Sequence, residues 1–449
     1  MATALLTDLY ELNMAAIYLR RAMTQSATFS LFVRQLPPER GFLVAAGLED
    51  CLSFLARYRF EDEELAYCRV ELGFDPDTIE AFRALRFEGD VWAVPEGRIL
   101  FAGEPLLELT APLPQAQLVE TFLLNQITSQ TTLASKAARC VIAAEGRDVV
   151  DFAFRRTQGI ETAVTVARCA SMVGFVATSN VEAARRYGLR AAGTMAHSFV
   201  EAFRSERDAF RAFARDFPDR STFLVDTYDT LGGVRTAIEV VRELDLRGAV
   251  GIRLDSGDLA GLAFEARRAL DEAGLGGVRI FASGGLDEHA IAALVRAGAP
   301  IDAFGVGTKM GVSADAPFLD SVYKLVEFDG RPVMKLSPGK TTSPGRKQVW
   351  RGPGCRDVIG LRDDAAPNGH RPLLEPVMRR GRRLRSDATA LVAARERFGE
   401  DLATLPDGAK SLRDPVEPVP RRAPSLDALA ERARAEITEG RSDADRTPR

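Results

Sequence analysis

Leu189-Arg190-Ala191-Ala192-Gly193-Thr194-Met195-Ala196-His197-Ser198-Phe199 passes from a short strand-like run into the start of a helix, and its reading decides the fold class. Leu189 to Ala192 reads as the end of a strand. Ser198 can open the following helix, because a serine oxygen accepts from the free amides of a first turn. His197 therefore stands at a strand-to-helix junction, where α/β enzymes hold their chemistry. Taken alone, a histidine at such a turn is more often structural than catalytic, so its neighbours must decide.

Working outward, β-type runs recur at Asp148 to Phe152, Gly174 to Thr178, Leu189 to Gly193, Thr222 to Asp226, Ala249 to Leu254, Val278 to Ala282 and Ala303 to Val306. Helical runs lie between most of them: Glu161 to Met172, Phe199 to Phe217, Gly232 to Leu244, Leu259 to Ala273 and Asp287 to Ala297. This alternation predicts an α/β fold with a parallel sheet, closed as an irregular (β/α) barrel, with Val322 to Phe328 as its eighth strand.

Residues 1–114 read as an N-terminal α+β domain completed by C-terminal residues, with helices at Leu5 to Leu19 and Leu43 to Phe60 and a strand at Thr28 to Arg34. After Pro112-Leu113-Pro114, Gln115 to Ala143 reads as a long helix linking this domain to the barrel, whose domain spans 115–345. Residues 346–449 read as a C-terminal segment packing on the N-terminal domain, with a disordered end. Within it, Arg379-Arg380-Gly381-Arg382-Arg383 reads as a solvated charged turn rather than a polyanion site.

Composition narrows the partners. With 59 basic and 63 acidic side chains, the formal charge of −4 argues against nucleic acid and for a small anionic ligand met by a few local cations. The five cysteines are scattered and never spaced C-x-x-C, which fits reduced thiols and no zinc site. No apolar run reaches the roughly 18 residues of a spanning helix, so the expectation is a soluble, cytoplasmic protein without a membrane partner.

In a barrel of parallel strands the active site lies at the carboxyl ends. Just past the candidate strands stand Phe152 with Arg155-Arg156, Ser179-Asn180, His197, Asp226 and Asp229, Arg253 and Asp255, Ser283-Gly284-Gly285, and Gly305 with Gly307-Thr308. Asp226-Thr227-Tyr228-Asp229 is singly as well explained as a helix cap, and Asp255-Ser256-Gly257-Asp258 as an ordinary Asx turn. The glycines after the last strands are sharper, since they let backbone amides at helix N-termini face a phosphate. Together these features imply a phosphorylated sugar.

These residues carry a resemblance. Thr7 to Met14 (TDLYELNM), Asp151 to Arg156 (DFAFRR), Thr178 to Asn180 (TSN), Gly193 to Phe199 (GTMAHSF), Val225 to Thr230 (VDTYDT), Arg253 to Leu259 (RLDSGDL), Ser283 to Leu286 (SGGL), Phe304 to Thr308 (FGVGT) and Lys335 to Arg351 follow one another as in nicotinate phosphoribosyltransferases. The chain resembles that family from its N-terminus to about Arg351, and the C-terminal part matches less clearly. One departure is Ala153, where the family usually has glycine, with a slight shift of the Phe152 ring as the expected effect.

The resemblance implies the fold of the type II phosphoribosyltransferases and the joining of nicotinate to 5-phosphoribosyl 1-pyrophosphate, coupled to ATP hydrolysis. It implies that Phe152 and Tyr10 of a partner subunit flank the pyridine ring, which makes the enzyme a homodimer with shared sites. It places Arg155 and Ser179 near the nicotinate carboxylate, and Asp226 and Asp255 near ribose and Mg²⁺. Arg253, Ser283, Gly284, Gly285, Gly305, Gly307 and Thr308 fall around the 5′-phosphate, and His197 becomes the residue phosphorylated by ATP. Lys340 and Lys347 are candidates for contacting phosphates from the Pro338 to Gly345 loop, which reads as a lid. Two other readings stay open at this stage: a nicotinamide phosphoribosyltransferase, whose relatives carry an acid where this chain has Ser179, and a non-catalytic binder of phosphoribosyl nucleotides.

Overall fold

The structure, a computed structural model, describes residues 3–248, 250–337, 342–384 and 390–444. The chain divides into two compact units, one of residues 1–132 and 318–449 and one of residues 133–317. The division at 132/133 falls inside the helix Glu120–Ala143, not at the prolines before it, because Leu113–Leu118 already forms a helix of the first unit.

The first unit is built on Ser26–Val33, a strand buried along most of its length. It pairs antiparallel with Pro105–Pro112 on one side and Ser321–Phe328 on the other. The run expected as an eighth barrel strand is therefore an edge partner of the N-terminal sheet. Its alternation is real, but alternation does not say which sheet a strand joins. Residues late in the chain extend the same sheet, since Glu375–Arg379 pairs with Asp90–Ala93. Arg379 and Arg383 of the basic run are paired there with Asp90 and Glu49, so these charges are met within the unit. The expected helix from Leu43 to Phe60 is instead a short strand, Leu43–Val44, and a helix, Leu48–Leu55. Gly47, at φ +93°, breaks the run and donates its amide to Glu96.

The second unit holds a six-stranded parallel sheet. Its order is Ala177–Thr178, Asp148–Asp151, Ala303–Val306, Arg279–Ala282, Gly251–Leu254, Thr222–Leu224. Ala303–Val306, at the centre, is buried at every position, as a strand covered on both faces must be. The two outer strands are not paired with each other, so the barrel is irregular and open. Leu189 to Gly193 does not form the expected strand. It touches the sheet only through the bridge between Thr178 and Ala191, and Arg190, Ala191 and Gly193 are exposed, whereas an inner strand would bury them.

Four of the intervening helices begin at polar caps: Asn180, Ser205, Asp229 and Asp287 each accept from the amide three residues on. Ser205 also splits the single helix expected over Phe199 to Phe217 into His197–Glu201 and Glu206–Asp216. A buried ion cluster anchors Glu288, with Lys136 2.6 Å and Arg139 2.9 Å from its carboxylate. Removing one member of such a cluster strands the others in a low dielectric. All five cysteines are buried and none forms a disulfide.

Candidate active site

The carboxyl ends of the parallel strands open into one cavity of about 580 Å³, within the range of small-molecule sites. Phe152, Arg155, Ser179, His197, Arg253, Asp255, Ser283, Gly284, Gly285, Gly305, Gly307 and Thr308 all line it. Tyr10 and Lys347 belong to the other unit, and Lys340 lies outside the described residues. The Pro338 to Gly345 loop is described only from Thr342 onward.

Asp255 is the hub of the cluster. Its Oδ1 accepts from the Ser283 hydroxyl and lies 3.5 Å from the Arg253 guanidinium, while Oδ2 lies 3.9 Å from His197 Nε2. The other imidazole nitrogen, Nδ1, is 3.2 Å from the Thr227 hydroxyl. The ring is thus held from both sides, and its two nitrogens face different chemistry.

Arg253 donates to the Thr194 hydroxyl (2.6 Å) and to the Met195 carbonyl (3.2 Å), which ties the His197 loop to the strand Gly251–Leu254. Its buried Nε has no partner among the described residues. Burial draws the guanidinium pKa downward, and Asp255 and Asp226 oppose that shift.

The two aspartates of the pair Asp226 and Asp229 separate by role. Asp229 caps the helix Thr230–Glu243, but Asp226 does not: its Oδ2 accepts from Asp255 N (3.1 Å) and Ser256 Oγ (2.6 Å), and its buried Oδ1 has no partner among the described residues. Glu206 feels the negative field there. Burial first, then Asp229 and Asp226, push its carboxyl up to about 7. A buried acceptor without a donor, in a field that resists further ionisation, suits a hard divalent cation with oxygen ligands. Among the described residues no group of three or more acidic, histidine or cysteine side chains forms a complete cage. Asp226 and Asp255 would hold Mg²⁺ together with oxygens of the substrate.

Arg155 and Arg156 are exposed and pair with no carboxylate among the described residues, so their charge is available to a ligand. Lys347 differs. It is fully buried, 3.0 Å from Glu108, and its ammonium also donates to the Gly345 carbonyl (2.8 Å), so its charge is met inside its own unit.

Ala153, the departure from the family pattern, has ordinary helical dihedrals and is unstrained. Its methyl group faces Gly311, where an added Cβ would sit 2.6 Å away, so the absent side chain at 311 makes room for the extra methyl at 153.

Gly284 has φ +92°, and a Cβ there would lie 1.8 Å from the Asp255 carbonyl oxygen. Gly284→Ala combines a left-handed conformation with a backbone clash, together about 2–4 kcal/mol. Thermal denaturation of this variant should show a melting temperature several degrees below that of the native protein. An unchanged value would mean that the Ser283-Gly284-Gly285 turn is not held as described.

Fold and cavity define the class first. The structure superposes on the crystal structure of human nicotinic acid phosphoribosyltransferase with a TM-score of 0.83 at 29% identity, covering 95% of this chain and 99% of that one. An α+β unit followed by an open parallel barrel is the type II phosphoribosyltransferase architecture. Residues 5–128 match the nicotinate phosphoribosyltransferase (NAPRTase) N-terminal domain, and residues 148–367 match the nicotinate phosphoribosyltransferase (NAPRTase) family. The chain belongs to the nicotinate phosphoribosyltransferase family. It is 50% identical over 416 residues to nicotinate phosphoribosyltransferase pncB2 of Mycobacterium tuberculosis, covering 92% of this chain and 89% of that protein. It is 46% identical over 354 residues to nicotinate phosphoribosyltransferase of Bacillus subtilis, covering 77% and 72%. Among the described residues no helix is long and apolar enough to cross a membrane.

Proposed function

We propose that this protein transfers the phosphoribosyl group of 5-phosphoribosyl 1-pyrophosphate to nicotinate, giving nicotinate mononucleotide and pyrophosphate, with ATP hydrolysis coupled to the transfer. One observation carries the reading: a single cavity at the strand ends gathers an aromatic ring, the exposed Arg155 and Arg156, a glycine-lined turn and the His197–Asp255 pair. The pyridine nitrogen attacks the anomeric carbon while the bond to pyrophosphate breaks. Positive charge grows on the ribose and negative charge on the leaving group, so groups already in place for both charges lower the barrier.

In this reading Arg155 faces the nicotinate carboxylate with Ser179 beside it, and a planar guanidinium suits that bidentate contact. Arg253, Ser283, Gly284, Gly285, Gly305, Gly307 and Thr308 receive the 5′-phosphate through side chains and backbone amides. Asp226 and Asp255 orient the ribose. Mg²⁺, when bound, offsets the charge of the departing pyrophosphate. His197 accepts the terminal phosphoryl group of ATP, with ADP leaving, and later yields it to water, while Asp255, 3.9 Å from Nε2, and Thr227, 3.2 Å from Nδ1, orient the ring. The product formed from nicotinate by the purified protein tests the reading.

The active unit is a dimer with Tyr10 of the partner subunit over the pyridine ring. Leu6, Leu9, Tyr10 and Ile17 support this, because they are exposed together on and beside the helix Leu9–Arg20, and contiguous exposed apolar surface marks an interface. Tyr10→Ala and Asp255→Ala, each inactive alone, should regain partial activity when mixed and allowed to exchange subunits, since one hybrid site is then intact. Proven exchange without recovery would refute a shared site.

A further inference from the structure

Asp151, the last residue of its strand, is wholly buried, and no cation faces it among the described residues. Its Oδ1 accepts from Ala153 N (2.8 Å) and its Oδ2 from the Thr178 hydroxyl (2.6 Å). That hydroxyl in turn accepts from Asn180 N (3.0 Å), while Ser179 N donates to the Asp151 carbonyl (2.8 Å). Asp151 and Thr178 are register partners on adjacent parallel strands. Four hydrogen bonds therefore lock the turn carrying Phe152 and Arg155 to the strand end carrying Ser179. Asparagine or serine could cap a turn without placing a carboxylate out of water, where burial pushes its pKa upward against the two bonds that favour the anion.

Packing alone does not fix what this turn carries. Phe152 lines the active cavity and also a second cavity of about 430 Å³; its ring makes a tilted approach to Phe281 at 5.6 Å and lies over Gly305, where an added Cβ would sit 2.9 Å from it. A ring with open space on two sides takes its position from its backbone.

We propose that Asp151 and Thr178 are positioning residues that set the width of the nicotinate pocket, by holding Phe152 and Arg155 at a fixed separation from Ser179. The proposal rests on the reading of this cavity as the nicotinate site. Neither residue lines the cavity, so each acts through the turn it holds, and the effect falls on nicotinate more than on the phosphoribosyl donor, because Arg253, Ser283, Gly284 and Gly285 stand on or after strands two or three places from that of Asp151 in the sheet.

Thr178→Val keeps the shape of the side chain but takes the hydroxyl away from Oδ2 of Asp151 and from Asn180 N, while Oδ1 keeps its bond from Ala153 N. In steady-state kinetics it should raise the KM for nicotinate by about tenfold or more, as loss of a charged hydrogen bond does. The KM for 5-phosphoribosyl 1-pyrophosphate and kcat should stay within about threefold, and Thr178→Ser should restore native values. Asp151→Asn, which retains the acceptor for Ala153 N, should give a smaller rise in the same constant. Equal rises in both KM values, or a native nicotinate KM in both Thr178→Val and Asp151→Asn, would overturn the proposal.

Amide hydrogen exchange tests the clamp without any turnover. In Thr178→Val, or in Asp151→Asn if the valine variant does not fold, exchange should quicken at Ala153 and Asn180 while the strand Gly251–Leu254 is unchanged. Unchanged exchange at the first two positions defeats the clamp, whatever the native protein makes from nicotinate. A native protein that makes no nucleotide, with the exchange pattern as expected, would instead defeat the reading of the site.

Discussion

His197→Ala is expected, on the proposed phosphoryl transfer, to abolish nicotinate-stimulated ATP hydrolysis and the formation of acid-labile phosphate on the protein from ATP. The imidazole stands with Nδ1 3.2 Å from Thr227 and Nε2 3.9 Å from Asp255, and alanine removes both nitrogens without disturbing the strands. The drop in coupled turnover should reach at least about two orders of magnitude, the usual scale for loss of a group that carries the transferred atom. Uncoupled transfer should persist at a low rate, because the phosphate turn and Arg253 remain. Retention of both ATP hydrolysis and labile phosphate by this variant would remove His197 from the mechanism.

The native protein should prefer nicotinate to nicotinamide by about a hundredfold in kcat/KM, corresponding to the roughly 3 kcal/mol a charge-assisted hydrogen bond contributes. The cation proposed for this contact is Arg155, exposed and without a carboxylate partner among the described residues, and the neutral group proposed beside it is Ser179, which lines the same cavity. In Ser179→Asp the new carboxylate repels that of nicotinate but accepts from the amide nitrogen of nicotinamide. The gap should narrow, mainly through weaker nicotinate. An unchanged ratio would mean that residue 179 does not face the substituent.

The parts of this site legible in the sequence are those that position along a strand dictates. Once Asp148–Asp151, Gly251–Leu254, Arg279–Ala282 and Ala303–Val306 read as parallel strands, the residues after them must share one end of the sheet. What pattern does not encode is which neighbour a strand chooses. Ser321–Phe328 alternates as well beside Ser26–Val33 as it would in a barrel, and only the fold assigns it to the first unit.

The supporting residues escaped for a related reason. Thr194, Thr227 and Thr178 meet Arg253, His197 and Asp151 across 59, 30 and 27 residues. A threonine after a strand is too common to single out until its partner is in place. Asp226 and Asp229 show the opposite limit, because spacing made them equivalent and only their partners separate the cap from the site residue. Lys347 was visible as a cation in a family motif, but the burial that commits it to Glu108 is not a property of the motif.

The central claim is that this cavity builds a nucleotide from nicotinate. The direct measurement incubates the purified protein with 5-phosphoribosyl 1-pyrophosphate, Mg²⁺ and either nicotinate or nicotinamide, with and without ATP, and identifies the nucleotide formed. The expected result is nicotinate mononucleotide, made fastest with ATP present and accompanied by pyrophosphate. Nicotinamide mononucleotide as the main product, or no nucleotide from either base under conditions where the protein is folded, would contradict it.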